Sequence, residues 1–168
     1  MSITRKVVKL VEPRKFEIFE EELRSIKENE LLVKIHSCGL CHSEMAMYRG
    51  ELRMVQDFEN NSMRAIMKED VKYPFDFPEV SHYGFFYGHE PVGEILEVGN
   101  EVKGFEVGDF IVGPKPGSFA TYTIMDAYRL MKLPPEVKEQ KHCLGEMLMC
   151  ITNIVRAANP LFLVSIGA

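Results

Sequence analysis

Alternation of hydrophobic and polar residues predicts several short β-strands along the chain. In the segment 30–37, Leu31, Val33 and Ile35 fall on one face and polar side chains fall on the other. Similar runs that end or turn at glycine occupy 91–99 and 107–113, and a third run, 119–124, alternates and is rich in β-forming residues. Glycine supplies the backbone freedom that the corners of small barrels require. Short strands broken by glycine therefore predict a compact, mostly antiparallel barrel.

The segment 51–80 departs from this pattern, since it is mixed in charge and rich in methionine. We expect a short helix capped at Asn61-Ser62, with Met63, Ile66 and Met67 on its buried side. An exposed loop with a packed underside is one interpretation of the whole segment, and a lid that shapes a substrate cleft is another.

After Leu133 the pattern changes from strand to helix. Apolar residues recur there at the spacing of one helix face, namely Cys143, Leu144, Met147, Leu148, Ile151, Ile154 and Val155. Asn159-Pro160 is expected to end the helix, and 161–168 reads as a buried strand that reaches Gly167. Because a strand running into glycine opens a dinucleotide-binding unit, we divide the chain into a domain at 1–140 and a linking helix with a second, truncated domain at 141–168.

Composition and charge narrow the class of protein. The chain has 168 residues, of which 46% are hydrophobic and 27% are charged, which argues against extended disorder. A formal net charge of −5 makes nucleic acid an unsuitable partner. No apolar run approaches the ~20 residues that span a bilayer, and the amino terminus lacks the apolar core of a secretory signal. We therefore expect a cytoplasmic protein whose four cysteines are free thiols or metal ligands.

Reactive side chains are densest between Cys38 and Glu44, where the sequence reads Cys-Gly-Leu-Cys-His-Ser-Glu. A zinc ribbon would need a second close cysteine pair, and Cys143 and Cys150 are too far apart for this. A thioredoxin-like site would need a βαβ unit, whereas the surroundings are barrel-like. Cys38 is best interpreted as a small buried hydrophobic residue.

Two further positions carry groups that bind metals. His89 and Glu90 precede a predicted strand, and Glu146 lies on the apolar face of the late helix, where a carboxylate is costly to bury without a cation. A plain surface glutamate is the alternative for Glu146. Together, Cys41, His89 and Glu146 would give zinc one sulfur, one nitrogen and one oxygen ligand and leave one position open, which is the catalytic arrangement.

Several motifs in order resemble one known family. The segments Leu32–Glu44, Gly88–Glu90, Val98–Val102 and Val107–Asp109 are similar, in sequence and in interval, to the zinc-dependent medium-chain alcohol and polyol dehydrogenases. The resemblance extends from about Lys6 to Ala168. It implies a mainly β, GroES-like catalytic domain with a partly open barrel, then a linking helix and a Rossmann domain that binds NAD or NADP.

The resemblance assigns metal ligands. Cys41 and His89 match the family's catalytic zinc ligands. Glu90 matches a glutamate that either binds the zinc or stands just behind it, and Glu146 matches a position that is cysteine or glutamate in different branches. The third ligand is therefore Glu90 or Glu146, and we expect Glu90 to bind mainly in the absence of substrate.

The resemblance also assigns residues around the metal. Ser43 matches the hydroxyl that relays the substrate proton, and His42 matches a position that contacts the cofactor phosphates. Glu44 stands where the family usually has aspartate and would orient His89. Gly167 would be the first glycine of the dinucleotide fingerprint.

The implied activity is hydride transfer between an alcohol or polyol and NAD(P), with one catalytic zinc acting as a Lewis acid. The full-length protein would be a homo-oligomer with a small alcohol, polyol or carbonyl substrate and no membrane partner, and the fragment alone would be inactive. The alternatives are a stand-alone zinc-binding or scaffold domain and a zinc-free quinone or enone reductase of the same superfamily.

The chain also departs from the family pattern. The lobe that holds a structural zinc is missing, because 113–117 passes almost directly from one strand to the next. The segment 51–87 is longer than usual, and the chain stops at the expected glycine fingerprint. We expect one piece of a longer enzyme, since a terminal apolar strand would leave an unpaired edge.

Overall fold

The fold is given by a computed structural model that describes residues 3–57, 62–67, 87–137 and 145–157. The strands in these ranges are β1 (Ile3–Glu12), β2 (Lys15–Leu23), β3 (Glu30–Gly39), β4 (Leu52–Asp57), β5 (Ser62–Met67), β6 (Glu90–Val98), β7 (Phe110–Val112), β8 (Tyr122–Asp126) and β9 (Met131–Lys132). The helices are α1 (His42–Arg49), α2 (Gly145–Ala157) and the single 3₁₀ turns Ala127–Arg129 and Pro135–Val137.

The strands of the described residues form three antiparallel sheets. A central sheet has the order β8-β3-β6-β7-β9, while β1 pairs with β2 and β4 pairs with β5. A bridge between Val7 and Ala120 connects β1 to the segment before β8. The sheets do not close on one another, which confirms the expected mainly β, partly open architecture.

The central sheet buries the alternating residues that the sequence pattern selected. Leu31 and Val33 of β3 are fully buried and pack with Ile95 and Ile111 from the neighbouring strands, and with Met125 of β8. Each fully buried aliphatic side chain of this kind contributes ~1.5–3 kcal/mol. This cluster fixes the pairing of β3 with β6, whose facing ends carry the candidate site.

A second buried cluster holds α1 against β1 and the residues before β6. Leu10, Met47 and Tyr87 form its centre. Phe16 stacks on Tyr48 at 5.3 Å between ring centroids and meets Tyr87 edge-on at 4.9 Å. These contacts hold the last turn of α1, which carries Met47 and Tyr48, against β1, β2 and the residues before β6.

The late helix touches the sheet at its amino-terminal end. Gly145 is buried, and a Cβ there would overlap the side chain of Val112. The helix predicted from the apolar spacing is confirmed over 145–157. Its apolar residues are exposed by 43–68%, namely Met147, Leu148, Ile151, Ile154 and Val155.

The prediction of a short helix at Asn61-Ser62 is wrong. Ser62 begins a strand and pairs with Asp57, and the pairing continues to Leu52 opposite Met67. The physical reason is that a connection of four residues lets two strands pair directly. A six-residue helix has too few hydrogen bonds to offset the cost of nucleation and compete with that pairing.

Strand boundaries also differ from those expected. The run 107–113 is a strand only at Phe110–Val112, and the run 119–124 forms its strand at Tyr122–Asp126. The sequence pattern missed β1, β2, β4 and β9. The expectations for Cys143, Leu144, Asn159-Pro160 and the terminal strand with Gly167 lie outside the described residues. Among the described helices, neither is long and apolar enough to cross a membrane.

Candidate metal centre

A sulfur, a nitrogen and an oxygen donor converge where β3 ends and β6 begins. Cys41 lies between the end of β3 and the start of α1, whereas His89 and Glu90 lead into β6. Because β3 and β6 are paired, these two points of the chain meet. One ligand atom from each of Cys41, His89 and Glu90 lies within 4.8 Å of the others.

The position of Glu90 depends on a glycine in the opposite strand. Gly39 is its partner in the register of β3 and β6. A Cβ at Gly39 would overlap Oε2 of Glu90. Glu90 is 8% exposed, so the missing side chain at Gly39 is what gives its carboxylate room inside the protein.

Glu44 joins the parts of the site through one buried carboxylate. Its Oε2 accepts a hydrogen bond from the backbone N–H of Cys41 at 2.9 Å. Its Oε1 accepts from the backbone N–H of Gly88 at 2.6 Å and lies 3.1 Å from Nδ1 of His89. Glu44 is 0% exposed, so these contacts take the place of water around its carboxylate. The carboxylate therefore fixes both the thiol segment and the imidazole.

The backbone on either side of His89 is also held. The Tyr87 hydroxyl donates to the Glu44 carbonyl at 2.7 Å. Two backbone groups of the loop before β8 also bind this segment. The N–H of Lys115 donates to the His89 carbonyl at 3.2 Å, and the N–H of Ser118 donates to the Gly88 carbonyl at 2.9 Å. Sequence reasoning missed Tyr87 and this loop, since neither carries a ligand motif.

The contact with Glu44 sets the proton position on His89. When Nδ1–H donates to the carboxylate, Nε2 is left as the nitrogen available to a metal. The hydrogen bond to Glu44 raises the pKa of His89 to about 9, while burial opposes this and the nearby Cys41 adds to it. Without a metal the imidazole is therefore protonated at neutral pH, and a metal must displace that proton to bind.

The three donors fit zinc. Ligand atoms at about 2.0–2.3 Å from a tetrahedral zinc lie about 3.5 Å apart, so a cluster within 4.8 Å needs only small side-chain movements to close. Thiolate, imidazole and carboxylate are all zinc ligands. Three protein ligands leave one tetrahedral position for a water or a substrate oxygen.

Glu146 is not in the three-residue cluster that the described residues form. It is half-buried in the first turn of α2, and its Oε1 accepts a hydrogen bond from the Cys150 thiol at 3.3 Å. This contact raises the pKa of Cys150. Of the two carboxylates considered as third ligand, the structure therefore brings Glu90 to the cysteine and the histidine. Glu146 lies outside this cluster but close to it, since the charges of Glu90 and Cys41 also raise the pKa of Cys150.

The other candidate residues have different surroundings. His42 and Ser43 are exposed on the first turn of α1, directly after Cys41. Cys38 is half-buried rather than fully buried, and its Sγ lies 3.6 Å from the Gly39 carbonyl. Gly167 lies outside the described residues.

Comparison with known proteins identifies one family. The family of alcohol dehydrogenase GroES-like domains matches residues 27–135. Cinnamyl alcohol dehydrogenase 1 from Medicago truncatula is 32% identical over 89 residues, which cover 53% of this chain and 18% of that protein.

Solved structures share the fold. The 2R,3R-butanediol dehydrogenase from Bacillus subtilis has a TM-score of 0.62 at 20% identity, covering 83% of this chain and 43% of that one. CAD from Helicobacter pylori, solved with NADP(H), has a TM-score of 0.56 at 16% identity, covering 79% and 42%. The chain thus spans less than half the length of each of these proteins.

Proposed function

The chain belongs to the medium-chain alcohol dehydrogenase family, and from this we propose that it supplies the catalytic domain of a zinc-dependent oxidoreductase. The proposed reaction is hydride transfer between an alcohol or polyol and NAD(P). The observation that carries the proposal is the convergence of Cys41, His89 and Glu90 within 4.8 Å.

Cys41, His89 and Glu90 would hold the zinc, which when bound supplies Lewis acidity toward the substrate oxygen. Charge favours one carboxylate ligand at a time, because a thiolate and one carboxylate neutralise a divalent ion. A second carboxylate would make the site negative and a weaker acid. We therefore assign Glu90 to the substrate-free protein and Glu146 as the candidate to replace it. Glu44 keeps the Nε2 atom of His89 directed at the cluster.

Proton movement is assigned to the exposed first turn of α1. Ser43 would accept the proton that leaves the substrate hydroxyl, and its exposure gives that proton a route to water. His42, which is exposed beside it, would assist this transfer or contact the cofactor phosphates. Both side chains follow Cys41 directly, so the helix that begins beside the ligand also presents these groups.

The cofactor would be held mainly by chain beyond the GroES-like domain. We keep the division into a domain at 1–140 and a linking segment at 141–168, with Gly167 opening the cofactor fingerprint. The exposed apolar residues of α2 support this division, since an apolar helix face normally packs against another element. The 168-residue chain alone is then expected to bind zinc but not to turn over.

The test uses the product of the complete gene beside the 168-residue chain. Both are purified without added metal and their zinc content is measured. Oxidation of a panel of primary alcohols and vicinal diols is then followed with NAD and with NADP. We expect about one zinc per chain in both proteins and turnover only in the longer one. A strong chelator should abolish this turnover, and added zinc should restore it.

Three results would contradict the proposal. Undiminished turnover after complete removal of metal would do so. Reduction of quinones or enones by a metal-free protein would favour the zinc-free reductase alternative. A full-length protein that holds zinc but transfers no hydride to or from either cofactor would favour a scaffold domain.

A further inference from the structure

A cavity of about 360 Å³ lies apart from the metal centre. The β1–β2 hairpin forms one wall, and β8 and the loop at 115–117 form the other. Neither Cys41, His89 nor Glu90 lines it. The cavity is therefore a separate feature of the domain, for which the proposed hydride transfer has no use.

Most of the charged groups in the cavity wall are already paired. Glu21 accepts hydrogen bonds from Nε of Arg5 at 3.1 Å and from Nη2 of Arg5 at 2.7 Å, and it also contacts Nζ of Lys9. These two cations share one acid, and the lining as a whole carries four cations and four acids. Arg24 donates two hydrogen bonds to Glu30, at 2.6 and 2.7 Å, so that pair is balanced.

Lys115 differs from these cations. It lines the cavity and is half-buried, and none of the ion pairs within 4 Å in the described part of the chain involves it. Burial lowers the pKa of Lys115; the negative charges of Asp126 and Glu30 attract its ammonium, and the positive charges of Arg5 and Arg24 oppose it. An ammonium that has lost hydration without gaining a partner would be stabilised by an anion.

We propose that this cavity is a binding site for a small oxyanion, either a carboxylate or a phosphate, with Lys115 as the principal contact. Arg5 would assist, because its bonds to Glu21 use Nε and Nη2 and leave Nη1 for a ligand. Asp126 and Glu22 also line the cavity and would oppose a high negative charge. A singly charged carboxylate should therefore bind more tightly than a doubly charged phosphate.

The site is connected to the metal centre through the chain. Lys115 places its side chain at the cavity while its backbone N–H donates to the carbonyl of His89. A ligand bound to Lys115 would thus affect the position of the loop whose backbone is hydrogen-bonded to His89. Binding itself does not depend on zinc, so it is measured on the metal-free chain.

The test is a titration of the isotopically labelled 168-residue chain followed by amide chemical shifts. Sodium acetate and sodium phosphate are added in separate arms at constant ionic strength, with methylammonium chloride as the cation arm. We expect saturable shifts at Gly117 and Thr123 with acetate, weaker binding of phosphate and no saturable shift with methylammonium. Lys115→Met should weaken acetate binding by about tenfold or more, because a charged hydrogen bond is lost.

Two further variants separate charge from folding. Lys115→Arg keeps the charge and should retain acetate binding within a few-fold of the original. Lys103→Met removes an exposed lysine outside the cavity and should leave binding unchanged. The proposal is overturned if acetate gives no saturable shifts in the cavity, if Lys115→Met binds as tightly as the original chain, or if methylammonium competes for the same site.

Discussion

The two carboxylates considered as zinc ligands, Glu90 and Glu146, lie in contrasting surroundings. Glu90 is 8% exposed at the start of a central strand, in a space left by Gly39. Glu146 lies in the first turn of α2, a helix whose apolar residues are 43–68% exposed. Contacts among the described residues thus determine where one carboxylate sits. The other lies on a helix whose first residue, Gly145, packs against Val112 of the sheet.

This difference indicates that the candidate metal centre is formed by the paired ends of β3 and β6. Glu44 binds the segments of both Cys41 and His89, so the two donors are held together by a group that is not itself a ligand. Outer partners of this kind orient ligands before the metal arrives. The contrast between Glu90 and Glu146 predicts that substitutions near β6 lower zinc affinity far more than substitutions on α2.

The largest expected effect is loss of the metal when a donor is removed. Cys41→Ser and His89→Ala should abolish zinc retention, since two donors cannot hold the ion against dialysis. Zinc is measured by elemental analysis after dialysis against a weak chelator.

Cys38→Ser is the matched control for these variants. Cys38 is a half-buried thiol three residues from Cys41 and lies outside the donor cluster. Zinc retention should therefore remain normal, with a small change in stability. Stoichiometric zinc in Cys41→Ser would overturn the ligand assignment.

The next effect concerns the residue that orients the histidine. Glu44→Gln keeps the size of the side chain but removes its charge and places an amide near donors. We expect zinc affinity to fall by ~10–100-fold, the usual cost of losing an outer partner. Affinity is measured by competition with a chromophoric chelator, and a thermal melt reports whether the fold survives.

Glu94→Gln is the corresponding control, because Glu94 also faces a histidine, with its Oε2 3.1 Å from Nε2 of His36. That pair is outside the donor cluster, so zinc affinity should not change. Equal affinity in Glu44→Gln and the original chain would show that the Glu44–His89 contact does not orient the ligand.

A third effect concerns stability away from the metal. The hydrogen bonds from Arg24 lower the pKa of Glu30 from 4.5 to about 2. Because the folded pKa is depressed, the pair stabilises the protein above pH 4.5, and this stabilisation is lost as pH falls from 4.5 toward 2. Arg24 is half-exposed, so we expect ~2 kcal/mol rather than the full value of the shift.

Urea unfolding of the original chain and of Arg24→Met between pH 7 and pH 3 measures this contribution. The difference in unfolding free energy should be greatest at pH 7 and should shrink below pH 4.5. Arg49→Met, which alters an exposed pair with a separation of 3.9 Å, provides the control. A difference for Arg24→Met that stays constant with pH would refute the assignment.

The sequence predicted the central sheet because periodicity reports burial directly. Leu31 and Val33 alternate in β3 and both are fully buried. The pattern missed β2 because its side chains are largely exposed and its alternation, present over residues 15–18, breaks at Phe19. It predicted a helix at Asn61-Ser62 because the spacing of methionine and isoleucine over six residues fits either a helix or a strand. The pairing with β4 determines that the segment is a strand.

The candidate site was predictable as a set of residues but not as an arrangement. Cys41, His89, Glu90 and Glu44 were all identified by motif. Their separations depend on strand register, which places Gly39 opposite Glu90. No local pattern encodes that register. The cavity at Lys115 was missed for the same reason, since residues distant in sequence form its walls.

The smallest expected change in zinc affinity tests the contrast between Glu90 and Glu146 most directly. Glu146→Gln should change the zinc affinity of the 168-residue chain by no more than about fivefold, the size of a solvent-screened charge interaction of ~1 kcal/mol. Glu90→Gln should cause a much larger loss, because it removes a donor from the cluster. Chelator competition on both variants ranks the two carboxylates. A larger loss in Glu146→Gln would mean that α2 closes on the metal even without substrate, and that Gly39 makes room for a group that supports the site without binding zinc.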